Sequence, residues 1–315
     1  MATDTVILHW YSLSPFSQKV AWILNYKKVE YKTVTIAPVE PRPNRRPLDG
    51  GYRKTPILQI GNHVYCDSKC ILDELERRYP EPSLYPAAPG GSSEQTEALA
   101  KSLRYWLDND LFLAIPSQFD VSMMPEAFLK DRAAFMGRDF PGKEVAPLLK
   151  ANLYTQLKLA SDLVGSKTWI LDTPTLSAAD LHLAMDTFFA INVLTPPYVI
   201  DNFPVLMDHF QRVSDAVNTD RTEEMPSLSE EEALQVAKAA SGPGPSQDQP
   251  FLPELKLGQR VSVTPLDTGR VPATGVLVSL TSDEVIIQKV TDAAGSVYIH
   301  FPTAGFIVTP AQASL

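Results

Sequence analysis

Three short stretches hold side chains able to do chemistry. In "YSLSPFSQKVAWIL", Ser14 and Pro15 stand where an apolar strand pattern gives way to a helical one. Ser14 suits a helix cap and Pro15 the first turn. Such a helix start offers free N–H groups and a partial positive charge, which favour an anion such as a thiolate or a carboxylate. A serine without a base is a poor nucleophile. Its hydroxyl can instead donate a hydrogen bond to an anion that a substrate brings. In "YCDSKC", Asp67 and Ser68 open a second helix. Its free N–H groups and the Ser68 hydroxyl suit a carboxylate, Asp67 suits an ammonium group, and a zwitterionic amino-acid end satisfies both. In "KTPIL", Thr55 and Pro56 begin a strand. A cis peptide there turns edge backbone outward, where it can pair with an extended peptide. Each stretch also has a purely local explanation, as a helix cap or a strand-start proline.

The elements around these residues follow from period and punctuation. Thr5 to Trp10 reads as a strand, its Val6-Ile7-Leu8 run suited to burial on both faces. Phe16, Val20, Ile23 and Leu24 fall on one helical face. Val29 to Ile36 is β-branched and aromatic, a second strand, and the strand-helix-strand unit predicts a parallel pair. The loop "APVEPRPNRRPLDGGYRK" is too rich in proline and glycine for regular structure through most of its length. "TPILQIGNHVYC" reads as a hairpin turning at Gly61-Asn62, and "DSKCILDELERRY" as a helix with Ile71, Leu72, Leu75 and Tyr79 on a stripe.

After the linker "PEPSLYPAAPGGSS" the pattern is helical for a long stretch. At "TLSAADLHLAMDTFFAINVL", Ser177 and Asp180 form a capping-box variant, with Leu176 and Leu181 as a hydrophobic staple. That helix is apolar on nearly every side and is expected at the centre of a bundle. Glu223 to Gln249 reads as a second linker, its "EEEALQ" run as a solvated helix face. The rest alternates at period two and predicts a small β-rich module. The expected fold class is therefore α/β followed by all-α and β-rich parts. The ranges are 1–82, 93–240 and 251–315.

The 315 residues carry a formal charge of −9 and a pI near 5.1, which disfavour a general nucleic-acid or anionic-membrane surface. Cys66 and Cys70 cannot build a disulfide framework or a structural zinc site, so a cytoplasmic location and no metal are expected. The cysteines read as packing residues, with Cys66 close enough to the proposed site to watch, and His9 and His182 as satisfied core histidines. Tyr105, Trp106, Phe112, Phe119, Met123 and Met124 fit either core or an acceptor pocket.

In order and spacing, "YSLSPFSQKVAWIL", "YRKTPIL", "YCDSKCILDELERRYP" and "LSAADLHLAM" resemble the glutathione transferase superfamily. The long loop and the β-rich tail look like a fungal subgroup with an extended C-terminal region. The resemblance implies a thioredoxin-like glutathione-binding domain, then an all-helical domain holding the acceptor pocket. It implies a cytoplasmic homodimer that takes glutathione as cosubstrate and conjugates it to small apolar electrophiles, a detoxification chemistry, or adds and eliminates it. The different-class alternative is a non-catalytic glutathione-binding or scaffold protein. Ser14 matches the catalytic serine position, with Tyr11 and Ser17 as alternatives. Thr55 and Pro56 match residues that pair with the cysteinyl backbone, and Asp67 and Ser68 those that hold the γ-glutamyl end. Lys54, and after it Arg53, are expected at the glycyl carboxylate. The lack of cysteine at positions 14 and 17 disfavours disulfide chemistry. A hydrogen bond to a charged group, about 1.5 to 3 kcal/mol, lowers a thiol pKa of about 8.5 by about one to two units, to near half ionisation at neutral pH.

Overall fold

The computed structural model describes residues 5–240, 244–245 and 252–311. Strand β1 (Val6–Trp10) leads into helix α1 (Pro15–Tyr26), and β2 (Lys32–Thr35) returns parallel to β1. The proline-rich loop holds a 3-10 turn at Pro43–Arg45 and the four-residue helix α2 (Arg46–Asp49). Hairpin strands β3 (Ile57–Ile60) and β4 (His63–Cys66) follow, then α3 (Ser68–Arg78). Strand β3 lies antiparallel to β1, with His9 opposite Ile57, and Ile57 opposite Cys66 of β4. The C-terminal end of β1, the start of β3 and the end of β4 thus share one end of the sheet. All three chemical stretches leave the sheet from that end.

The helical part begins with α4 (Ser93–Tyr105), passes through a π-helical turn at Trp106–Leu111, and continues as α5 (Phe112–Ala114). Then come α6 (Glu126–Met136), α7 (Ala146–Val164), α8 (Ala178–Leu194), α9 (Pro196–Asn202) and α10 (Pro204–Val217). The capping box at Ser177 and Asp180 is present, and Leu176 and Leu181 are buried beside it. Helix α8 runs buried through its first ten residues, as its apolar circumference demands. Among the described residues no single helix is long and apolar enough to cross a membrane.

Two expectations change. Part of the stretch read as a second linker is α11 (Glu230–Ala239), nucleated by a capping box between Ser229 and Glu232. Of the remainder, Glu223 and Glu224 end a 3-10 turn, and 241–243 and 246–249 lie outside the described residues. The tail does form strands: β5 (Arg260–Pro265), β6 (Ala273–Leu280), β7 (Glu284–Thr291), β8 (Gly295–Pro302) and β9 (Phe306–Pro310). They are not set apart, however. Strand β8 pairs in parallel with β4, giving one nine-stranded sheet in the order β2-β1-β3-β4-β8-β7-β6-β5-β9. The seam is polar. His63 Nδ1 lies 2.9 Å from His300 Nε2, and His300 Nδ1 lies 2.9 Å from Glu284 Oε1.

Strand alternation explains why the tail stays. Val6, Leu8, Leu58, Ile60 and Tyr65 face the core built with α1, α3 and the helical part. Ile57, Val64 and Cys66 face the other way, into a second core with Leu48, Tyr52 and the tail's Ile299 and Phe301. Ile7, Val34 and Ile36 of β1, β2 and the residue just past β2 are covered on that side by Ala233 of α11. A four-residue α2 is too short to cover this face. The tail and α11 bury what it leaves open.

Candidate active site at the sheet end

Ser14 caps α1, and its Oγ accepts a hydrogen bond from the Ser17 amide at 3.3 Å. The side chain is buried, and among the described residues its hydroxyl hydrogen has no fixed acceptor. Ser17, one turn on, is fully buried with its Oγ unpartnered. The cap thus leaves hydroxyls, amides and the positive helix end gathered at one point, with no carboxylate in the first turn of α1. Tyr11 is placed differently. Its ring packs with Ile7, Val34 and Ile36 on the sheet face turned away from the α1 core.

A buried ionic cluster holds α1 from beneath. Lys19 is fully buried, its Nζ 2.8 Å from both Asp108 oxygens and 3.0 Å from His182 Nδ1. Asp108 comes from the π-helical turn and His182 from α8, so the cluster ties three elements together. Burial lowers the His182 pKa to about 4, which keeps the ring neutral. Burial opposes the Asp108 charge, but Lys19 and His182 outweigh it and hold that carboxyl well below the usual range. Nearby Asp186, whose carboxylate oxygens are buried without a hydrogen-bond partner, is pushed well above the usual carboxylate range by desolvation and by Asp108. Above this cluster the Phe16 ring meets Phe112 at 4.7 Å, Phe112 stacks on Phe189 at 5.2 Å, and Phe119 meets Phe189 at 5.9 Å. These rings form an apolar wall two residues from Ser14. Of the other aromatics, Trp106 donates to Gln156 of α7, and Tyr105 lies under the Lys69 ammonium.

Asp67 caps α3 at φ 78°, a conformation costly for a side chain with a Cβ, and its Oδ1 accepts from the Lys69 amide at 3.0 Å. Ser68 is the first residue of α3 and is buried. The Thr55–Pro56 peptide is cis. Sequence reasoning missed what holds Thr55. Arg45, buried in the loop, donates to Thr55 Oγ1 at 3.0 Å, to the Tyr52 and Lys54 carbonyls at 2.8 and 2.9 Å, and to Asp49 at 2.6 Å. Arg42 donates to the carbonyls of Ala37, Pro38 and Arg53. Burial and the neighbouring Arg45 lower its pKa to about 10, still a cation at neutral pH. These two arginines, both in the run read as a loop, fold it into a rigid approach to Thr55.

The two cations expected at the glycyl carboxylate already have partners. Lys54 Nζ lies 2.5 and 2.6 Å from the Asp267 oxygens, and Arg53 Nη2 lies 2.6 Å from Asp131 Oδ1 on α6. Burial raises the thiols of Cys66 and Cys70 far above their ordinary range, so neither is a nucleophile at neutral pH. Among the described residues no three His, Cys, Asp or Glu side chains gather to hold a metal.

Residues 8–83 match the family described as "Glutathione S-transferase, N-terminal domain". A crystal structure of a GST-like protein from Pseudomonas syringae is 30% identical, with a TM-score of 0.75 over 96% of this chain and 99% of that one. That likeness runs along nearly the whole length of both chains. A probable glutathione S-transferase of Nicotiana tabacum is 26% identical over 164 residues, spanning 46% of this chain and 69% of the tobacco protein. One of Solanum tuberosum is 31% identical over 80 residues, 24% of this chain and 35% of the potato protein. A rice enzyme solved in complex with glutathione shares the fold alone, at TM-score 0.55 and 16% identity over 76% of this chain and all of its own. With the sheet-end site, the N-terminal family match and a relative alike along nearly its whole length, the chain belongs to the glutathione S-transferase superfamily.

Proposed function

We propose that the chain is a serine-type glutathione transferase. Glutathione lies along the sheet end with its sulfur at the start of α1, its cysteinyl backbone on Thr55–Pro56 and its γ-glutamyl head at Asp67 and Ser68. The observation that carries this reading is the Ser14 hydroxyl, buried at a helix start with its hydrogen free to donate. That hydrogen bond and the helix end favour the thiolate over the thiol. The thiolate sulfur then attacks an electrophilic carbon, a C–S bond forms, and the leaving group departs with its electron pair. The thiol proton has already passed to solvent. Tyr11 is the weaker candidate because its ring packs on the opposite sheet face. The Phe16, Phe112, Phe119 and Phe189 wall suits a small apolar acceptor.

As part of the same reading the protein works as a cytoplasmic homodimer without metal, in a detoxification role. The test is turnover of glutathione with an activated aryl chloride. Release of chloride with formation of the thioether supports the enzyme. Glutathione binding with no turnover across a broad electrophile panel supports the non-catalytic glutathione-binding alternative instead.

A further inference from the structure

The tail does more than cover the sheet. The turn between β5 and β6 reaches back to the loop before β3 and sets Asp267 on Lys54. This is a built contact. The Gly269 amide donates to the Phe135 carbonyl at 2.8 Å, and Arg270 Nε donates to the Asp267 carbonyl at 2.8 Å. A Cβ on Gly269 would fall 2.8 Å from the Phe135 ring and 3.6 Å from Lys54 Cγ, at a φ of 60° that already favours glycine. The turn is therefore seated between α6 and the Lys54 stem with no room to spare.

We infer that Asp267 is a specificity determinant for the thiol. It cancels the Lys54 charge at the glycyl end of the cleft while Asp131 cancels that of Arg53. The site therefore does not select for a free glycyl carboxylate. It accepts thiol peptides whose glycyl carboxyl is esterified, amidated or extended as readily as glutathione. The charge logic is direct: a free carboxylate at Lys54 must compete with the Asp267 carboxylate already paired to it and is repelled by it, whereas a neutral end is not. This rests on the reading that a γ-glutamylcysteinyl thiol occupies the cleft.

The test is calorimetric binding of glutathione, its glycyl ethyl ester and γ-glutamylcysteine to the full chain. The wild type is expected to bind glutathione and the ester within about twofold of each other. Asp267→Asn is expected to tighten glutathione about tenfold and leave the ester unchanged. That gain should vanish in the double variant Asp267→Asn/Lys54→Met, which keeps the wild-type melting temperature. A wild type that prefers glutathione to the ester tenfold, with the ratio unmoved by Asp267→Asn, overturns the role of Asp267 while leaving the cleft reading intact. Failure of γ-glutamylcysteine and both tripeptides to bind any form overturns the cleft reading, and this inference with it.

Discussion

The two ends of the candidate site are built on opposite terms. At the α1 end the polar groups are few and loosely engaged: the Ser14 hydroxyl accepts one long bond and that of Ser17 has no partner. At the 42–55 end nearly every cation is saturated. Arg42 and Arg45 each bind three or more oxygens, Arg53 and Lys54 have carboxylate partners, and Arg46 pairs with Glu40. A reacting sulfur needs donors that are free until it arrives. A rigid edge for a peptide backbone needs the reverse, a loop whose own hydrogen bonds are complete. One end keeps hydroxyls unengaged, as the proposed chemistry requires, and the other is closed on its own hydrogen bonds.

The largest expected effect breaks the closed end. Arg45→Met leaves the fully buried Asp49 without its closest partner and the Lys54 carbonyl and Thr55 hydroxyl without their Arg45 donor, and removing one member of a buried pair costs about 3 to 5 kcal/mol. Chemical denaturation should show that loss together with weaker glutathione binding. A variant as stable as wild type would show that the loop is held by something other than Arg45. At the open end, Phe112→Ala removes the ring linking Phe16 to Phe189. It should raise KM for an apolar acceptor several-fold while leaving glutathione affinity alone. Equal changes in both would place the wall outside the acceptor pocket.

A smaller effect lies beneath both ends. Burial lowers the pKa of His9 and His182 to about 4 in the folded chain. Their ordinary value is about 6.5. Between those values the unfolded chain binds protons that the folded chain refuses, so stability is full above about pH 6.5 and falls as pH drops toward 4. Asp108, with its carboxyl depressed, adds a loss in the same direction at still lower pH. Melting temperatures followed from pH 7 to 4.5 should decline, and a flat profile contradicts neutral burial of the two rings.

The same contrast explains what was legible in the sequence. The Ser14-Pro15 helix start, the Gly61-Asn62 turn and the Ser177-Asp180 box are local devices, each specified within a few residues, and each is found where the sequence places it. The closed end is specified at long range. Asp267 is 213 positions from Lys54, and Asp131 is 78 from Arg53. Arg42 and Arg45 spend most of their donors on backbone carbonyls, which carry no sequence signature. The tail's alternation announced strands, but the partner of β8 was the open edge of β4, a property of the assembled sheet. A signal was present for α2 and α11: Pro47 at an early helical position, and Ser229 three residues before Glu232. The surrounding prolines hide α2, whereas the acidic run of α11 reads as a helix face inside a stretch that otherwise reads as a linker.

The Ser14 hydroxyl, at the start of α1, is proposed to turn a bound thiol into a thiolate. The most direct test of this role follows the thiolate absorbance of enzyme-bound glutathione against pH in wild type, Ser14→Ala and Ser14→Asp. The aspartate keeps a helix cap and so controls for the loss of about 1 kcal/mol of capping energy in the alanine variant. The bound thiol is expected to ionise about one to two pH units below free glutathione in wild type, near the free value in Ser14→Ala, and no lower than the free value in Ser14→Asp, whose carboxylate repels a thiolate. A wild-type depression that persists unchanged in Ser14→Ala would contradict this role.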